Sequence, residues 1–295
     1  MLDVFKADLA LCVAINDREN PKNPFYEHAK YIWQYVEPSD WGDAFDMVQE
    51  KMDQTQNWRQ LLQIKCQWLG GIKGVHAQPG SAGILLFFRW FLKQNILNDA
   101  IQEKYTRFII TRSDYIHGIP HVPPSILDPK YIWMPYGEDH DGYTDRHIVV
   151  NQKDILSTLS IVDKIFLTPN DLVNKMMHSN EWSIERFIKL NFDEEGLSKR
   201  LKRFPHSMYS VRDKLGHTTW SKGVFNEELG YFIKYPHEYN CFRRSRFLFK
   251  AFGSWNRLSI WLLLNYELLR RSSLGDSIYN LYLLVGFRRS RSREI

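Results

Sequence analysis

One short stretch of the chain places an arginine and an aspartate together at the end of an apolar run. Residues 105–114 have Phe108, Ile109 and Ile110 at their centre and finish with Arg112, Ser113 and Asp114. Such a run predicts a buried strand. A carboxylate at its end can bind a divalent cation, and the planar fork of an arginine can grip phosphate oxygens. We therefore expect a phosphate-containing ligand here, with a plain surface ion pair as the alternative.

A second stretch, residues 137–147, concentrates ionisable side chains on a loop with glycines. Its eleven residues hold four acids, two histidines and an arginine. Together these groups can supply a general base, a metal ligand and a cation for phosphate. A solvated acidic loop is the alternative. The site is favoured because Arg146 and His147 lead directly into an apolar strand.

Predicted strands and helices alternate around these two stretches. Apolar runs predict strands at residues 6–15, 105–111, 131–134, 147–150 and 231–235. Residues 25–62 are predicted to be partly helical and partly irregular, and helices are predicted after the N-cap Ser81 and at residues 153–161, 168–177, 183–188 and 195–202. This order predicts an α/β fold with a mostly parallel central sheet flanked by helices. Ligands bind such sheets at the carboxyl ends of the strands.

Length and composition describe an ordinary globular protein. The chain has 295 residues, 44% hydrophobic and 25% charged, which suits one domain with an appendage or two small domains. Three widely spaced cysteines argue against a disulfide framework and a zinc site. The acidic start argues against a cleaved signal, and no run of about 20 apolar residues predicts a membrane span. We expect a cytoplasmic location.

Charge is distributed unevenly along the chain. The net charge is +5, yet residues 241–295 alone carry +8, from eleven basic residues and three acids. This basic stretch is also rich in leucine and aromatic residues, as in helices that lie on an anionic membrane. Peripheral membrane binding is one expectation. The alternative is that the apolar residues pack on the body while the arginines face water.

Several motifs resemble a family of GT-A-type glycosyltransferases from microbes, algae and their large viruses. Two of them are Thr111-Arg112-Ser113-Asp114 and Gly142-Tyr143-Thr144-Asp145-Arg146-His147. Similar segments are residues 79–84, 131–138, 211–212, 219–221 and 231–239. The resemblance covers about residues 1–240, and residues 241–295 then form a basic helical extension.

The resemblance implies a nucleotide-sugar donor and a glycan or lipid-linked acceptor. Its Arg-Ser-Asp segment corresponds to the Asp-x-Asp motif of GT-A enzymes, with Arg112 where the first aspartate usually stands. Asp114 is then the ligand for Mn²⁺ or Mg²⁺, and Asp145 is assigned as the general base. The predicted donor and phosphate residues are Arg112, Asp114, Arg146, Arg212 and Lys234, and the predicted acceptor loop holds Glu138, Asp139, Asp141 and His147.

Two other kinds of function remain open. GT-A domains usually begin with a strand that forms the floor of the nucleotide site, and this chain begins one strand later. A catalytically inactive homologue that binds glycans or acts as a scaffold is therefore an alternative. A nucleic-acid-binding protein is a second one, suggested by the basic tail, although the acidic body argues against nucleic acid as a partner.

Overall fold

The computed structural model describes residues 2–15, 23–64, 68–73, 80–137, 139–179, 181–212 and 223–265. These residues form a mixed α/β fold, which confirms the predicted class. The strands are β1 Leu9–Ile15, β2 Ala29–Val36, β3 Arg107–Thr111, β4 Tyr115–His117, β5 Ile132–Pro135, β6 His147–Asn151, β7 Leu201–Phe204, β8 Met208–Arg212, β9 Val224–Asn226 and β10 Tyr231–Ile233.

Helices surround these strands, and most are short. They are α1 Leu2–Phe5, α2 Pro24–His28, α3 Trp41–Lys51, α4 Ala82–Asn98, α5 Ile101–Lys104, α6 Ile155–Leu159, α7 Asp163–Leu167, α8 Pro169–Met176, α9 Ile184–Glu194, α10 Pro236–Phe252 and α11 Arg257–Leu264. Single 3-10 turns lie at Trp58–Gln63, Ser160–Val162 and Leu197–Arg200. No helix of the described residues combines the length and apolar character that crossing a bilayer requires.

The central sheet has the strand order β3-β6-β5-β7 and is mixed, so the prediction of a mostly parallel sheet is not confirmed. Strand β6 runs antiparallel to both β3 and β5, and only β5 and β7 are parallel. The connections explain this order. A loop alone joins β5 to β6, whereas the stretch containing helices α6 to α9 returns the chain to β7, and parallel strands need such a long crossover.

Two smaller sheets flank the central one. Strands β1 and β2 form a parallel pair. The other sheet is antiparallel, with the order β4-β8-β10-β9. Because β4 follows β3 after three residues, this antiparallel sheet begins where the first strand of the central sheet ends.

Strand β6 lies between the two hydrophobic clusters of the core. Ile148 and Val150 face the larger cluster, which contains Phe87 and Trp90 of α4. Val149 faces the smaller cluster on the other side. The alternation follows from the two-residue period of a strand. Because β6 is covered on both faces, Asp145 and Arg146, which directly precede it, are held in a fixed position.

The described part of the basic extension, residues 241–265, packs on the body. The predicted boundary at residue 241 falls inside α10, and Phe242 of that helix is buried in the smaller cluster. Trp255, between α10 and α11, is buried in the same cluster and donates its indole N–H to the carbonyl of Pro120. Up to residue 265, this part of the chain therefore belongs to the folded core.

Candidate functional site

The ends of two central strands bring the two predicted motifs together. Thr111 at the end of β3 pairs with His147 at the start of β6. One residue further, the backbone N–H of Arg112 donates to the carbonyl of Arg146 at 3.2 Å. The antiparallel register thus places Arg112 beside Asp145 and Arg146, although more than 30 residues separate them in sequence.

The antiparallel sheet adds Lys234 to the same place. Strand β8 contacts both Asp114 and Lys234. The N–H of Val211, in β8, donates to the carbonyl of Asp114 at 3.4 Å, and the N–H of Lys234 donates to the carbonyl of Ser210, also in β8, at 3.0 Å. Five predicted residues therefore meet in one group, which we call the ionic cluster: Arg112, Asp114, Asp145, Arg146 and Lys234.

The outer part of the ionic cluster is a carboxylate held by two cations. Arg112 binds Asp114 with both arms of its fork, at 3.0 and 2.9 Å, and Lys234 Nζ lies 3.1 Å from Asp114 Oδ2. Burial opposes ionisation of Asp114, but the charges of Arg112 and Lys234 outweigh it and hold its pKa below the usual value. The side chains of Arg112, Asp114 and Lys234 keep 26%, 32% and 14% of their surface exposed. A ligand in solution can therefore reach all three.

The inner part of the ionic cluster is almost closed to water. Asp145 has a side chain only 3% exposed and lies between two guanidinium groups, 3.2 Å from Arg112 and 3.6 Å from Arg146. Arg146 also binds Glu238, on α10, at 3.0 Å and stacks over the ring of Tyr235 at 4.2 Å. Burial disfavours the charge of Arg146, but the surrounding acids raise its pKa overall. Arg146 therefore stays a cation.

Two further buried groups support the inner part. Arg89, on α4, donates to the backbone carbonyl of Asp145 at 2.9 Å, and burial lowers its pKa. Glu238 accepts from the backbone N–H and the hydroxyl of Ser210, the latter at 2.8 Å. Burial raises the pKa of Glu238, although Arg146 opposes the effect. Sequence reasoning missed both residues, because no local pattern shows that their helices face the ionic cluster.

The loop before β6 is pressed against the start of α9. A Cβ atom added to Gly142 would lie 2.1 Å from the backbone carbonyl of Glu185, so only glycine fits. The N–H of Tyr143 donates to that same carbonyl at 2.9 Å. Ion pairs at the rim, Asp141 with Arg186 at 3.0 Å and Asp139 with Arg203 at 2.9 Å, hold the predicted acceptor loop in place.

Glu185 is a second residue that the sequence did not single out. Its side chain is buried near the ionic cluster, where burial and the charge of Asp145 raise its pKa. A carboxyl group with a raised pKa binds a proton more readily than an ordinary glutamate. In the sequence, Glu185 follows the N-cap Ser183 and lies in the first turn of α9. This position predicts the start of a helix and gives no indication of a functional site.

His147 lies away from the surface of the predicted acceptor loop. Its side chain is fully buried and hydrogen-bonds His121 through Nε2 at 3.0 Å and the Thr111 hydroxyl through Nδ1 at 3.0 Å. His121 donates its other ring N–H to the carbonyl of Val122, and burial lowers the pKa of His121 to about 4. Burial lowers the pKa of His147 well below the usual value. These contacts support a structural role for His147.

Two other predicted residues do not join the ionic cluster by any described contact. Glu138 lies outside the described residues. Arg212 ends β8, and its Nη1 atom is buried with no hydrogen-bond partner among the described residues.

The ionic cluster does not fit a resident divalent cation. Asp114 was the predicted ligand, and the described contacts already direct Arg112 and Lys234 at its two oxygens. A cation there would sit next to two positive charges, and Asp145 is likewise paired with arginines. Across the described ranges, no group of three His, Cys, Asp or Glu side chains forms a metal site from protein ligands alone. Protein cations occupy the place that a metal was expected to take.

Comparison of the chain with protein-family models, with curated proteins and with solved structures finds no match. Its function must therefore be inferred from the side chains of the ionic cluster and their surroundings.

Proposed function

We propose that this protein transfers a sugar from a nucleotide-sugar donor to a hydroxyl group of a glycan or lipid-linked acceptor. One observation carries the proposal. Arg112 and Lys234, which follow β3 and β10, converge on Asp114 at one partly exposed place, and the backbone of Arg112 pairs with that of Arg146. Nucleotide-sugar transfer needs such a group of cations, because the leaving nucleotide diphosphate develops negative charge that must be stabilised.

Arg112 and Lys234 are suited to bind the diphosphate. Both are partly exposed and share Asp114 as counter-ion, so a phosphate can compete with that carboxylate for them. The fork of Arg112 matches two phosphate oxygens, and Lys234 adds a point charge. Burial lowers the pKa of Lys234, while Asp114 opposes the effect, and an arriving phosphate would favour its charged form. The donor-binding step therefore needs no metal.

A carboxylate must accept the proton of the acceptor hydroxyl, and we assign this step to Glu185. Its raised pKa makes it a better base than an ordinary glutamate. Asp145 was the base predicted from sequence, but its ion pairs with Arg112 and Arg146 favour a positioning role. Glu185→Gln should then lower turnover about 10²-fold or more while donor affinity stays unchanged. Asp145→Asn should instead weaken donor binding, because both arginines lose a partner.

The test of donor binding is a thermal-shift screen of UDP- and GDP-sugars, with Mn²⁺ and with a chelator. A ligand that binds only the folded protein raises its melting temperature. We expect one nucleotide to raise it in both arms. Lys234→Gln should remove the shift, and the matched control Lys202→Gln, on an exposed position of β7, should keep it. If wild-type protein gains no stability from any nucleotide sugar in either arm, the transferase proposal fails.

A glycan-binding protein without transfer activity is the second candidate. It is favoured because Asp114, Asp145 and Glu238 are each paired with protein cations. Such pairing is typical of a structural network as well as of an active site without substrate. Donor hydrolysis separates the two functions. A transferase slowly releases UDP or GDP from the matching nucleotide sugar, whereas a glycan-binding homologue retains glycan affinity and releases no nucleotide.

A further inference from the structure

The corner where α10 meets α11 exposes three large apolar side chains. Phe252 ends α10, and Leu258 and Trp261 lie one turn apart on α11, with exposed fractions of 37%, 57% and 53%. Ser259 and Ile260, on the other side of α11, are buried. Packing on the body therefore fixes which side of α11 faces outward.

Basic residues accompany these apolar side chains along residues 241–265. Residues 241–265 contain five basic residues and no acid. Arg243, Arg246 and Lys250 follow one side of α10 at spacings of three and four residues and are exposed, as is Arg257 at the start of α11. We call these four cations, together with Leu258 and Trp261, the corner patch.

We propose that the corner patch docks this protein on an anionic lipid bilayer. The two chemistries of the patch match the two layers of a membrane surface. Tryptophan and leucine enter the boundary between headgroups and acyl chains, where tryptophan is enriched. Arginine and lysine meet the negative headgroups, each with a favourable contribution that decays within a Debye length. A polyanion without an apolar layer, such as nucleic acid, would leave Leu258 uncovered.

The corner patch is connected to the ionic cluster by a single rigid element. Glu238 lies in the first turn of α10 and Phe252 in its last, about 21 Å apart along the helix axis. Docking at one end of α10 therefore leaves the cluster at its other end. The docking proposal does not depend on the transferase proposal, because its contacts involve none of the cluster residues.

The test is co-sedimentation of the full chain with vesicles of phosphatidylcholine alone or of phosphatidylcholine mixed with phosphatidylserine. We expect binding to the mixed vesicles at low salt and release at high salt. The charge variant Arg246→Gln, Lys250→Gln, Arg257→Gln should lower the partition coefficient about 100-fold, since each basic residue contributes about five-fold. The apolar variant Leu258→Ser, Trp261→Ser should lower it about ten-fold or more.

Matched control variants change similar side chains elsewhere. Lys104→Gln, Lys130→Gln, Lys202→Gln removes three exposed charges outside the corner patch, and Val224→Ser, Phe225→Ser removes two exposed apolar side chains of β9. Both controls should bind vesicles like wild type. All altered positions are exposed, so circular dichroism and melting temperature should stay unchanged.

Equal vesicle binding by wild type and the corner variants, or no binding of wild type, overturns the proposal. Binding of wild type to an oligonucleotide with equal loss in the charge variant, but no vesicle binding, assigns the patch to nucleic acid instead.

Discussion

At the scale of single residues, the pair of Arg146 and Glu238 determines whether the inner part of the ionic cluster can exist. Both side chains are buried, and each is the nearest opposite charge to the other on the strand and helix they join. Burying charges is costly, and a close partner with further hydrogen bonds is what makes it tolerable. Glu238 has these further bonds from Ser210.

We therefore expect Glu238→Ala to destabilise the protein by about 3–5 kcal/mol, because Arg146 is left as a buried charge without this partner. Urea denaturation measures the loss. The control is Glu181→Ala, whose ion pair with Arg186 at 3.0 Å is exposed and should change stability by about 0.5 kcal/mol or less. A small effect of Glu238→Ala would mean that Arg146 finds water or another acid.

Gly142 makes a second prediction at this scale. A methyl group there overlaps the carbonyl of Glu185, so in Gly142→Ala the loop must move away from α9. We expect a loss of about 1–3 kcal/mol from overpacking and weakened donor binding, because Asp145 and Arg146 follow the loop. Gly230→Ala is the matched control. Gly230 has a positive φ of 76°, so an alanine there is strained, but no atom lies within 4 Å of its added methyl, and donor affinity should be retained.

At the scale of elements, the sequence predicted the strands that carry the site and missed those that decide the topology. The apolar runs of β1, β3, β5 and β6 are dense enough to be recognised. Strand β2 was missed because residues 25–62 were predicted to be helical and irregular, although the alternation of buried and exposed residues in β2 is typical of a strand. Strand β7 was missed because residues 195–202 were predicted to be helical, whereas only Leu197–Arg200 form a 3-10 helix and β7 begins at Leu201.

The site itself was predictable only in part, for a related reason. Arg112, Asp114, Asp145 and Arg146 stand next to recognisable strands, so local sequence placed them at strand ends. Glu185, Glu238 and Arg89 reach the same place from three helices, and no local pattern shows which helix side faces the cluster. The parallel sheet was expected from the general alternation of strands and helices, although the predicted strands at residues 131–134 and 147–150 have only a loop between them, and so short a connection favours an antiparallel pair.

Helix α10 makes a prediction at the element scale, because its packing contradicts the idea of a separable tail. Phe242 is 2% exposed and contacts the rings of Tyr209 and Tyr239. We expect Phe242→Ala to cost about 3–5 kcal/mol in urea denaturation. Leu258→Ala, on the exposed side of α11, should cost about 0.5 kcal/mol or less. Equal small losses would indicate that α10 is only loosely attached to the body.

At the scale of the whole molecule, buried histidines make stability depend on pH. Burial lowers the pKa of His121 to about 4 and that of His206 to about 3. Below the ordinary value of 6.5 the unfolded chain binds protons that the folded protein does not, so stability falls as pH falls from about 6.5 toward 4. Each of the two histidines contributes about 2 kcal/mol of this loss at pH 5. Glu185 and Glu238, with raised pKa values, act in the opposite direction.

We therefore predict that urea denaturation gives a lower unfolding free energy at pH 5 than at pH 7.5. His121→Asn isolates the contribution of one histidine. Whatever its overall stability, this variant should lose about 2 kcal/mol less than wild type between the two pH values. The same loss in variant and wild type would show that His121 does not titrate as its burial implies.

The central position of β6 has a consequence for amide hydrogen exchange. Strand β6 pairs with β3 along its whole length, pairs with β5 on its other edge, and is covered on both faces. Its amides at Ile148 to Val150 should exchange with deuterium only through the largest openings of the molecule. The rim of the loop at Asp139 to Asp141 is held by surface ion pairs and should exchange early. The ionic cluster thus lies between the slowly exchanging amides of β6 and the rapidly exchanging amides of residues 139–141. A ligand can therefore enter past residues 139–141 while Arg146 keeps its position.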